Sequence, residues 1–317
     1  MRGWRLGAAL ACLFSVAAHA DLVFVADERG DDVRVISTAD NAEVAAIAVG
    51  KRPRGMCASA DRKTVYVALG DEDAVALVDV ASRKVTGKLP VGRDPEQVVL
   101  SPDGKVLYVS NEAASTATAV ELSSRRILFT TPVGTEPEGI AVSPSGAKLY
   151  VTGESSDDVT VVDARAGKVL GKFAVGARPR WVLFSADGKQ AFVSAEVGGT
   201  FHFVDAVADK PGTSVAIGDG QTKPDGLALS SDGKRVYVAE GRGAAVTVID
   251  VASRKVVARI PVGERPWGIA LSTSGDRLYT ANGNSNDVSV VDTGAGKTIT
   301  RIPVGKKPYG VLYVQSP

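Results

Sequence analysis

Short runs of alternating apolar and polar residues follow one another along the chain, separated by turns rich in Gly, Pro, Asp and Ser. In residues 137–175 the apolar positions fall in four such runs, at 139–143, 148–152, 159–163 and 169–175. Period-2 alternation in β-branched and aromatic residues, with turn residues between the runs, predicts β-strands joined by hairpins. This stretch therefore predicts one four-stranded antiparallel sheet.

The same unit occurs seven times. Each copy carries the phrase Val-Gly-x-x-Pro or a close variant, with prolines at Pro53, Pro95, Pro137, Pro179, Pro224, Pro266 and Pro308 and spacings of 42, 42, 42, 45, 42 and 42 residues. One such sheet cannot bury both faces alone, whereas seven packed radially can. The period predicts an all-β, seven-bladed β-propeller of four-stranded antiparallel blades; a linear solenoid is the rival arrangement, and no copy has the Gly-His and Trp-Asp pairs of WD40 repeats.

The two ends of the repeat array complement each other. Residues 22–26 match a second strand and residues 308–314 match a first strand. We expect the C-terminal strand to pair with the N-terminal blade and close the ring, because closure removes open sheet edges. Residues 21–317 are then a single domain, which we expect to be monomeric.

The first twenty residues have a different pattern. Arg2 and Arg5 precede an apolar segment at 6–18, which is followed by Ala18-His19-Ala20. A charged start, a short apolar core and an Ala-x-Ala site predict a cleaved secretory signal peptide over residues 1–20 and a periplasmic protein without a membrane span after cleavage. A signal anchor and a lipoprotein site at Cys12 are the weaker alternatives.

Composition excludes several chemistries. The chain has 37 basic and 36 acidic residues and no basic stripe, which argues against a nucleic-acid partner. The mature chain keeps one histidine, His202, expected on the strand surface, and one cysteine, Cys57, expected to be a buried apolar residue. Covalent haem, a His/Cys zinc site and a Ser-His-Asp triad are therefore poor candidates, while carboxylate chemistry and a calcium site remain open.

Chain direction places the Val-Gly-x-x-Pro loops and the loops between second and third strands on one face. The residue after each proline varies in charge and size, and we expect these residues to form a ligand- or partner-binding ring at the channel mouth: Arg54, Glu96, Glu138, Arg180, Asp225, Trp267 and Tyr309. The second loops add Asp27 and Glu28 and a secondary rim of Asn111, Glu112, Glu154, Glu196, Glu240 and Asn282. Arg54 and Arg180 would clamp a carboxylate or phosphate, and the acidic rim would bind a cation or a basic partner, unless these charges only neutralise one another.

Two resemblances follow from these motifs. Tyr108-Val109-Ser110-Asn111, Tyr150-Val151-Thr152-Gly153 and the Val-Gly-x-x-Pro phrases resemble the YVTN-type β-propeller repeats. The segments 52–55, 94–96, 136–139, 178–181, 194–200 and 282–287 together resemble secreted propeller proteins associated with pyrroloquinoline-quinone (PQQ)-dependent alcohol catabolism. The second resemblance implies a periplasmic location beside quinoprotein dehydrogenases and supplies no reaction.

Three hypotheses of function remain at this point. The first is a non-enzymatic accessory protein that binds a quinoprotein dehydrogenase or an electron carrier through the ring. The second is a lactonase- or lyase-like enzyme whose metal, such as Ca²⁺, is held by Glu28, Glu112, Glu154, Glu196 and Asn282. The third is direct binding of PQQ, with Arg54 and Arg180 facing its carboxylates and Trp267 or Tyr309 stacking on it.

Overall fold

A computed structural model describes residues 20–316 of the chain. The signal-peptide prediction for residues 1–20 lies almost entirely outside the described residues. The rest folds as a seven-bladed β-propeller, and each blade is a four-stranded antiparallel sheet. The fold class predicted from the repeat is confirmed.

The strands are numbered in chain order. Blade 1 begins with β1 (Leu22–Asp27), β2 (Asp32–Ser37) and β3 (Ala42–Ala48). Blade 2 contains β4 (Pro53–Ala58), β5 (Thr64–Leu69), a short 3-10 turn (Gly70–Glu72), β6 (Ala74–Asp79) and β7 (Lys84–Pro90). Blade 3 contains β8 (Pro95–Leu100), β9 (Val106–Asn111), β10 (Thr116–Glu121) and β11 (Arg126–Pro132). Blade 4 contains β12 (Pro137–Val142), β13 (Lys148–Gly153), β14 (Asp158–Asp163) and β15 (Val169–Ala174).

The remaining blades follow the same order. Blade 5 contains β16 (Pro179–Phe184), β17 (Gln190–Ala195), β18 (Thr200–Asp205) and β19 (Lys210–Ala216). Blade 6 contains β20 (Pro224–Leu229), β21 (Arg235–Glu240), β22 (Ala245–Asp250) and β23 (Lys255–Pro261). Blade 7 contains β24 (Pro266–Leu271), β25 (Arg277–Asn282), β26 (Asp287–Asp292) and β27 (Lys297–Pro303), and the last strand is β28 (Pro308–Val314).

The ring closes by strand pairing between the two ends of the chain. β28 pairs with β1 in an antiparallel register that sets Leu22 opposite Val314 and Val25 opposite Val311. Blade 1 therefore has the strand order β28-β1-β2-β3, with the C-terminal strand innermost. The expected closure is confirmed.

Apolar side chains fill the spaces between neighbouring blades. At the closure, Val23 and Val25 of blade 1 pack with Tyr279 and Val288 of blade 7. On the other side of blade 1, Phe24 and Val33 belong to a cluster shared with blade 2. Each sheet thus buries both faces against its neighbours, as a radial arrangement requires.

All seven loops that lead into the inner strands share an unusual backbone conformation. The residue before each repeat proline has positive φ, between 52° and 59°, although none of them is glycine: Arg52, Asp94, Glu136, Arg178, Lys223, Arg265 and Lys307. In several blades an Asp or Asn of the preceding blade accepts the N–H of this residue, as Asp157 does from Arg178 at 2.8 Å. Its carbonyl accepts from the loop after the second strand, as Asp94 does from Glu112 N–H at 2.7 Å. Both sets of loops therefore lie on one face, as the chain direction predicted.

Candidate functional site

The residues that follow the repeat prolines lie inside the central channel. Six of them are buried, namely Arg54, Glu96, Glu138, Arg180, Asp225 and Tyr309, and Trp267 is half-buried. Because these residues open the innermost strands, their side chains meet near the channel axis. The structure thus brings the predicted ring together, but deeper than a rim exposed at the mouth.

Arg54 is fully engaged by residues of this ring. Its guanidinium donates to Glu96 and, at 3.3 Å, to Glu138, and its central carbon lies 3.6 Å from the centre of the Tyr309 ring. The Tyr309 hydroxyl also donates to Glu138. Attraction to Arg180 and Arg54 outweighs burial and lowers the pKa of Glu138 to about 2. Arg54 is therefore neutralised by internal carboxylates, which disfavours the predicted contact with a ligand anion.

Arg180 differs from Arg54 because one of its donors is unused. Its terminal nitrogens contact Glu154 and, at 3.4 Å, Glu138. Its Nε–H has no hydrogen-bond partner among the described residues, although the side chain is buried. Arg180 thus keeps one directed N–H donor free inside the channel.

Asp225 supplies the matching acceptor. Both of its carboxylate oxygens are buried without a hydrogen-bond partner among residues 20–316, and one lies 3.8 Å from Arg180 Nε. Burial raises the pKa of Asp225 to about 7, against the attraction of Arg180. A buried base and a buried donor, each without a hydrogen-bond partner, therefore lie next to each other, and such unsatisfied groups are uncommon in folded proteins.

A second carboxyl group beside this pair also has a raised pKa. Burial, together with the neighbouring charge of Glu138, raises the pKa of Glu154 to about 8. Glu138 therefore ionises more readily than Glu154, and both carboxyl groups contact Arg180.

The predicted secondary rim divides into two groups. Glu112, Glu154 and Glu196, like Glu28, lie one position beyond the second strand and contact the cations of the channel mouth. The other three are the last residues of second strands and bond to third strands or loops of their own blades: Asn111 to Thr118, Glu240 to Thr247, and Asn282 to Ser289. We assign these three to the scaffold. Asp27 holds the same strand position, but its carboxylate is buried without a hydrogen-bond partner among the described residues, 3.8 Å from Arg34.

The residues that precede the repeat prolines also belong to the site, although the sequence pattern did not predict this. Three of its cations surround one carboxylate, because Glu196 lies 3.2 Å from Arg178, 3.4 Å from Lys223 and 3.0 Å from Arg265. The Arg265 guanidinium also lies 3.9 Å from the centre of the Trp267 ring. A charged residue next to every proline was the signal available in the sequence.

One cluster has the carboxylate spacing of a metal site. Oxygens of Asp94, Glu96 and Glu112 lie within 4.8 Å of one another. Arg52 stands among them, in contact with Asp94 and at 2.6 Å from Glu96 and 3.7 Å from Glu112. Because a guanidinium already neutralises these oxygens, this donor set does not fit a divalent cation as arranged. Asn282 is also turned away from the predicted metal ligands.

Among residues 20–316, the one histidine and the one cysteine take structural positions. His202 is half-buried rather than on the surface, and its Nε2 accepts the Gly176 N–H at 3.1 Å. Thr160 and Ser289 accept the equivalent amides of Gly134 and Gly263, so His202 replaces a hydroxyl that fixes the loop. Cys57 is half-buried rather than buried as expected, and it lines the apolar end of the channel, where desolvation raises its pKa.

Two protein-family models match the sequence. A model described as lactonase, 7-bladed beta-propeller matches residues 86–170 and 168–301, which together exceed half of the chain. The chain belongs to this lactonase family of seven-bladed propellers. A model described as YNCE-like beta-propeller matches residues 6–108. No protein of curated function matches the sequence.

Solved structures resemble this lactonase-family propeller along nearly its whole length. A candidate 6-phosphogluconolactonase from Bacteroides fragilis has a TM-score of 0.81 at 18% identity, with 95% of this chain and 99% of that chain covered. The periplasmic gluconolactonase of Pseudomonas aeruginosa has a TM-score of 0.77 at 19% identity, with 94% of this chain and 99% of that chain covered. Hydrazine synthase of Kuenenia stuttgartiensis has a TM-score of 0.78 at 20% identity, with 90% of this chain and 99% of that chain covered. At these identities the likeness shows the fold alone.

These findings support the enzyme hypothesis more than the other two. The matched family favours the enzyme hypothesis, and none of the matches reported above links the chain to PQQ-dependent alcohol oxidation. Direct binding of PQQ would also require two free guanidiniums, whereas Arg54 is saturated and Arg180 keeps only one nitrogen free. Within residues 20–316 there is no helix long and apolar enough to cross a bilayer.

Proposed function

We propose that the protein is a lactonase that hydrolyses a cyclic ester in the channel, with Asp225 as general base and Arg180 as the donor to the oxyanion. The observation that carries the proposal is the pairing of two unsatisfied buried groups, Asp225 and Arg180 Nε–H, at 3.8 Å. Membership of the lactonase family supports the reaction class.

The proposed reaction uses these groups in sequence. The Asp225 carboxylate takes a proton from water, and the water oxygen attacks the carbonyl carbon of the lactone. The carbonyl oxygen becomes negative and accepts a hydrogen bond from Arg180 Nε–H, the kind of stabilisation that an oxyanion hole provides. The bond between the carbonyl carbon and the ring oxygen breaks, and protonated Asp225 returns its proton to the leaving alkoxide. The product is the open-chain hydroxy acid.

Asp225 and Arg180 are buried, so the proposal requires side chains on the loop face to move aside before a substrate reaches them. Asp225 lies beside Arg180, Glu196 and Arg265, and the half-buried Trp267 is the aromatic surface next to them. A sugar-type or other small lactone would lie against Trp267 with its carbonyl toward Arg180. The substrate is expected to be small, because the inner ring is otherwise filled by its own side chains.

The test is the rate of lactone opening, followed by pH-stat titration with glucono-δ-lactone, 6-phosphoglucono-δ-lactone and dihydrocoumarin, above the spontaneous rate. Asp225→Asn should lower kcat/KM roughly 10²- to 10⁴-fold, because it removes the base. Arg180→Lys should lower it roughly 10²- to 10³-fold. The matched control is Glu264→Gln, an exposed carboxyl-to-amide change on the same face, and it should act like the unchanged protein.

Two outcomes would contradict the proposal. One is opening of none of the three lactones above background by the folded protein. The other is full activity in Asp225→Asn. Dialysis against EDTA should leave the lactonase activity unchanged, because Arg52 occupies the cluster of Asp94, Glu96 and Glu112. If EDTA abolished the activity and Ca²⁺ restored it, the metal-dependent hypothesis would be favoured instead.

We also propose that the enzyme acts in the periplasm. The support is the charged start, apolar core and Ala-x-Ala site of residues 1–20. Mass spectrometry of the protein recovered from the periplasm should give Asp21 as the first residue. A full-length chain retained with the cells would contradict this.

A further inference from the structure

Two of the seven inner strands lack a glycine that the other five share. The second residue after the proline is glycine in five blades, at Gly55, Gly139, Gly226, Gly268 and Gly310. Adjacent inner strands approach so closely there that a Cβ on Gly139 would lie 2.6 Å from the Arg180 carbonyl oxygen. The other two blades carry Gln97 and Trp181, two large side chains where the scaffold favours none.

Both departures border one cavity. It has a volume of 400 Å³ and is lined by the later residues of β4, β8, β12 and β16. Its walls are largely apolar, from residues such as Met56, Val99, Ile140 and Phe184, and no charged residue of the inner ring lines it. It therefore lies toward the end of the channel opposite the Val-Gly-x-x-Pro loops and is separate from Asp225.

Gln97 leaves an unmet hydrogen-bond donor at this cavity. The side chain is only 6% exposed, and its Nε2 has no hydrogen-bond partner among the described residues. A buried polar group without a partner destabilises a folded protein, because it has lost its hydrogen bonds to water. A ligand that offers an acceptor here would remove that cost, and the apolar walls would bind its hydrocarbon part.

We propose that this cavity is a second binding site, for a flat, uncharged, largely apolar molecule with one carbonyl-type acceptor. The acceptor bonds to Gln97 Nε2, and the flat part packs against Trp181 and Phe184. Burial raises the pKa of Cys57, so its thiol stays neutral and adds to the apolar wall. The site is independent of the proposed lactone hydrolysis, which takes place on the other side of the ring residues.

The experiment is equilibrium dialysis of the intact protein with 2-acetylnaphthalene, an aromatic ketone, and with 2-ethylnaphthalene, which has a similar shape but no acceptor. The ketone should bind with a Kd below about 1 mM and about 3- to 10-fold more tightly than the hydrocarbon. Gln97→Met keeps the side-chain length without the donor, so it should remove this preference. Trp181→Gly restores the residue found in five blades and should abolish binding of both probes.

Melting curves check that both variants fold. If Trp181→Gly does not, Gln97→Met alone carries the test. Absence of ketone binding up to about 1 mM would overturn the proposal, as would an unchanged preference for the ketone in Gln97→Met. Asp225→Asn should bind the ketone as the unchanged protein does, and loss of binding in that variant would place the probe in the lactone site instead.

Discussion

Asp225 and Arg180 carry polar atoms that the folded chain leaves without partners, in a channel where most other charges are paired. Arg54, by comparison, has Glu96, Glu138 and Tyr309 around it. Folded proteins pair nearly all buried polar groups, because each exception lowers stability. The exception at Asp225 is thus a local loss of stability at the place where reactivity is proposed.

This loss should be measurable through pH. The pKa of Asp225 is about 7 in the folded protein, above the ordinary value of 3.8 in the unfolded chain. Between these values the folded state binds more protons, so stability falls as pH rises from about 4 to 7. Asp225→Asn stays neutral, so it should exceed the unchanged protein in free energy of unfolding by roughly 2–4 kcal/mol at pH 8 and by little at pH 4.

Urea unfolding at both pH values tests this expectation. Glu264→Gln serves as the control, because its side chain is exposed. A difference between Asp225→Asn and the unchanged protein that does not grow with pH would show that Asp225 titrates normally in the folded state.

The position of these residues was predictable from the sequence, but their pairing was not. A fixed offset from the repeat proline identified the ring, since equivalent positions of a propeller converge. The partners are set by which long side chains reach across the channel, as when Arg54 reaches Glu138 two blades away. The spacing of residues does not predict which side chains pair across the channel, so the sequence predicted the same role for Arg54 and Arg180.

At the scale of the strand, one residue of register separates the site from the scaffold. Glu112 contacts the channel cations, whereas Asn111, immediately before it, bonds to Thr118 of its own blade. Successive residues point to opposite sides, so neighbouring positions have different roles. The predicted secondary rim placed Asn111 and Glu112 in one group, although only Glu112 contacts a channel cation. The strands themselves were predictable because alternation and turn residues recur in every repeat.

The inner strands also depend on glycine. A Cβ on Gly268 would lie 2.7 Å from the Tyr309 carbonyl oxygen, which is backbone and cannot move aside easily. Gly268→Ala should therefore lower the free energy of unfolding by about 1–3 kcal/mol. Gly171→Ala is the matched control, because nothing lies within 4 Å of its Cβ position and the residue is exposed in β15.

Thermal and urea unfolding of the two variants would decide this. Gly171→Ala should be neutral or slightly stabilising, since alanine restricts the unfolded chain. Equal stability of the two variants would mean that neighbouring inner strands can separate without cost, contrary to the packing described here.

At the scale of the whole molecule, the ring depends on β28. This strand covers the inner edge of β1 and completes blade 1. Deleting residues 308–317 should lower Tm by roughly 10 °C or more, because it removes a full strand pair and exposes two apolar surfaces. Deleting only residues 315–317 is the control and should change Tm little. A similar melting curve for both deletions would mean that closure does not stabilise the ring.

Closure also brings the two ends of the predicted mature chain into contact, with the Ser316 N–H donating to the Asp21 carboxylate at 2.8 Å. A short linker could therefore join the ends without moving a blade, and a new opening could be cut in a surface loop between blades. The seven blades have an order but no structural first member. Circular permutation should then relocate the seam while leaving Asp225 and Arg180 face to face.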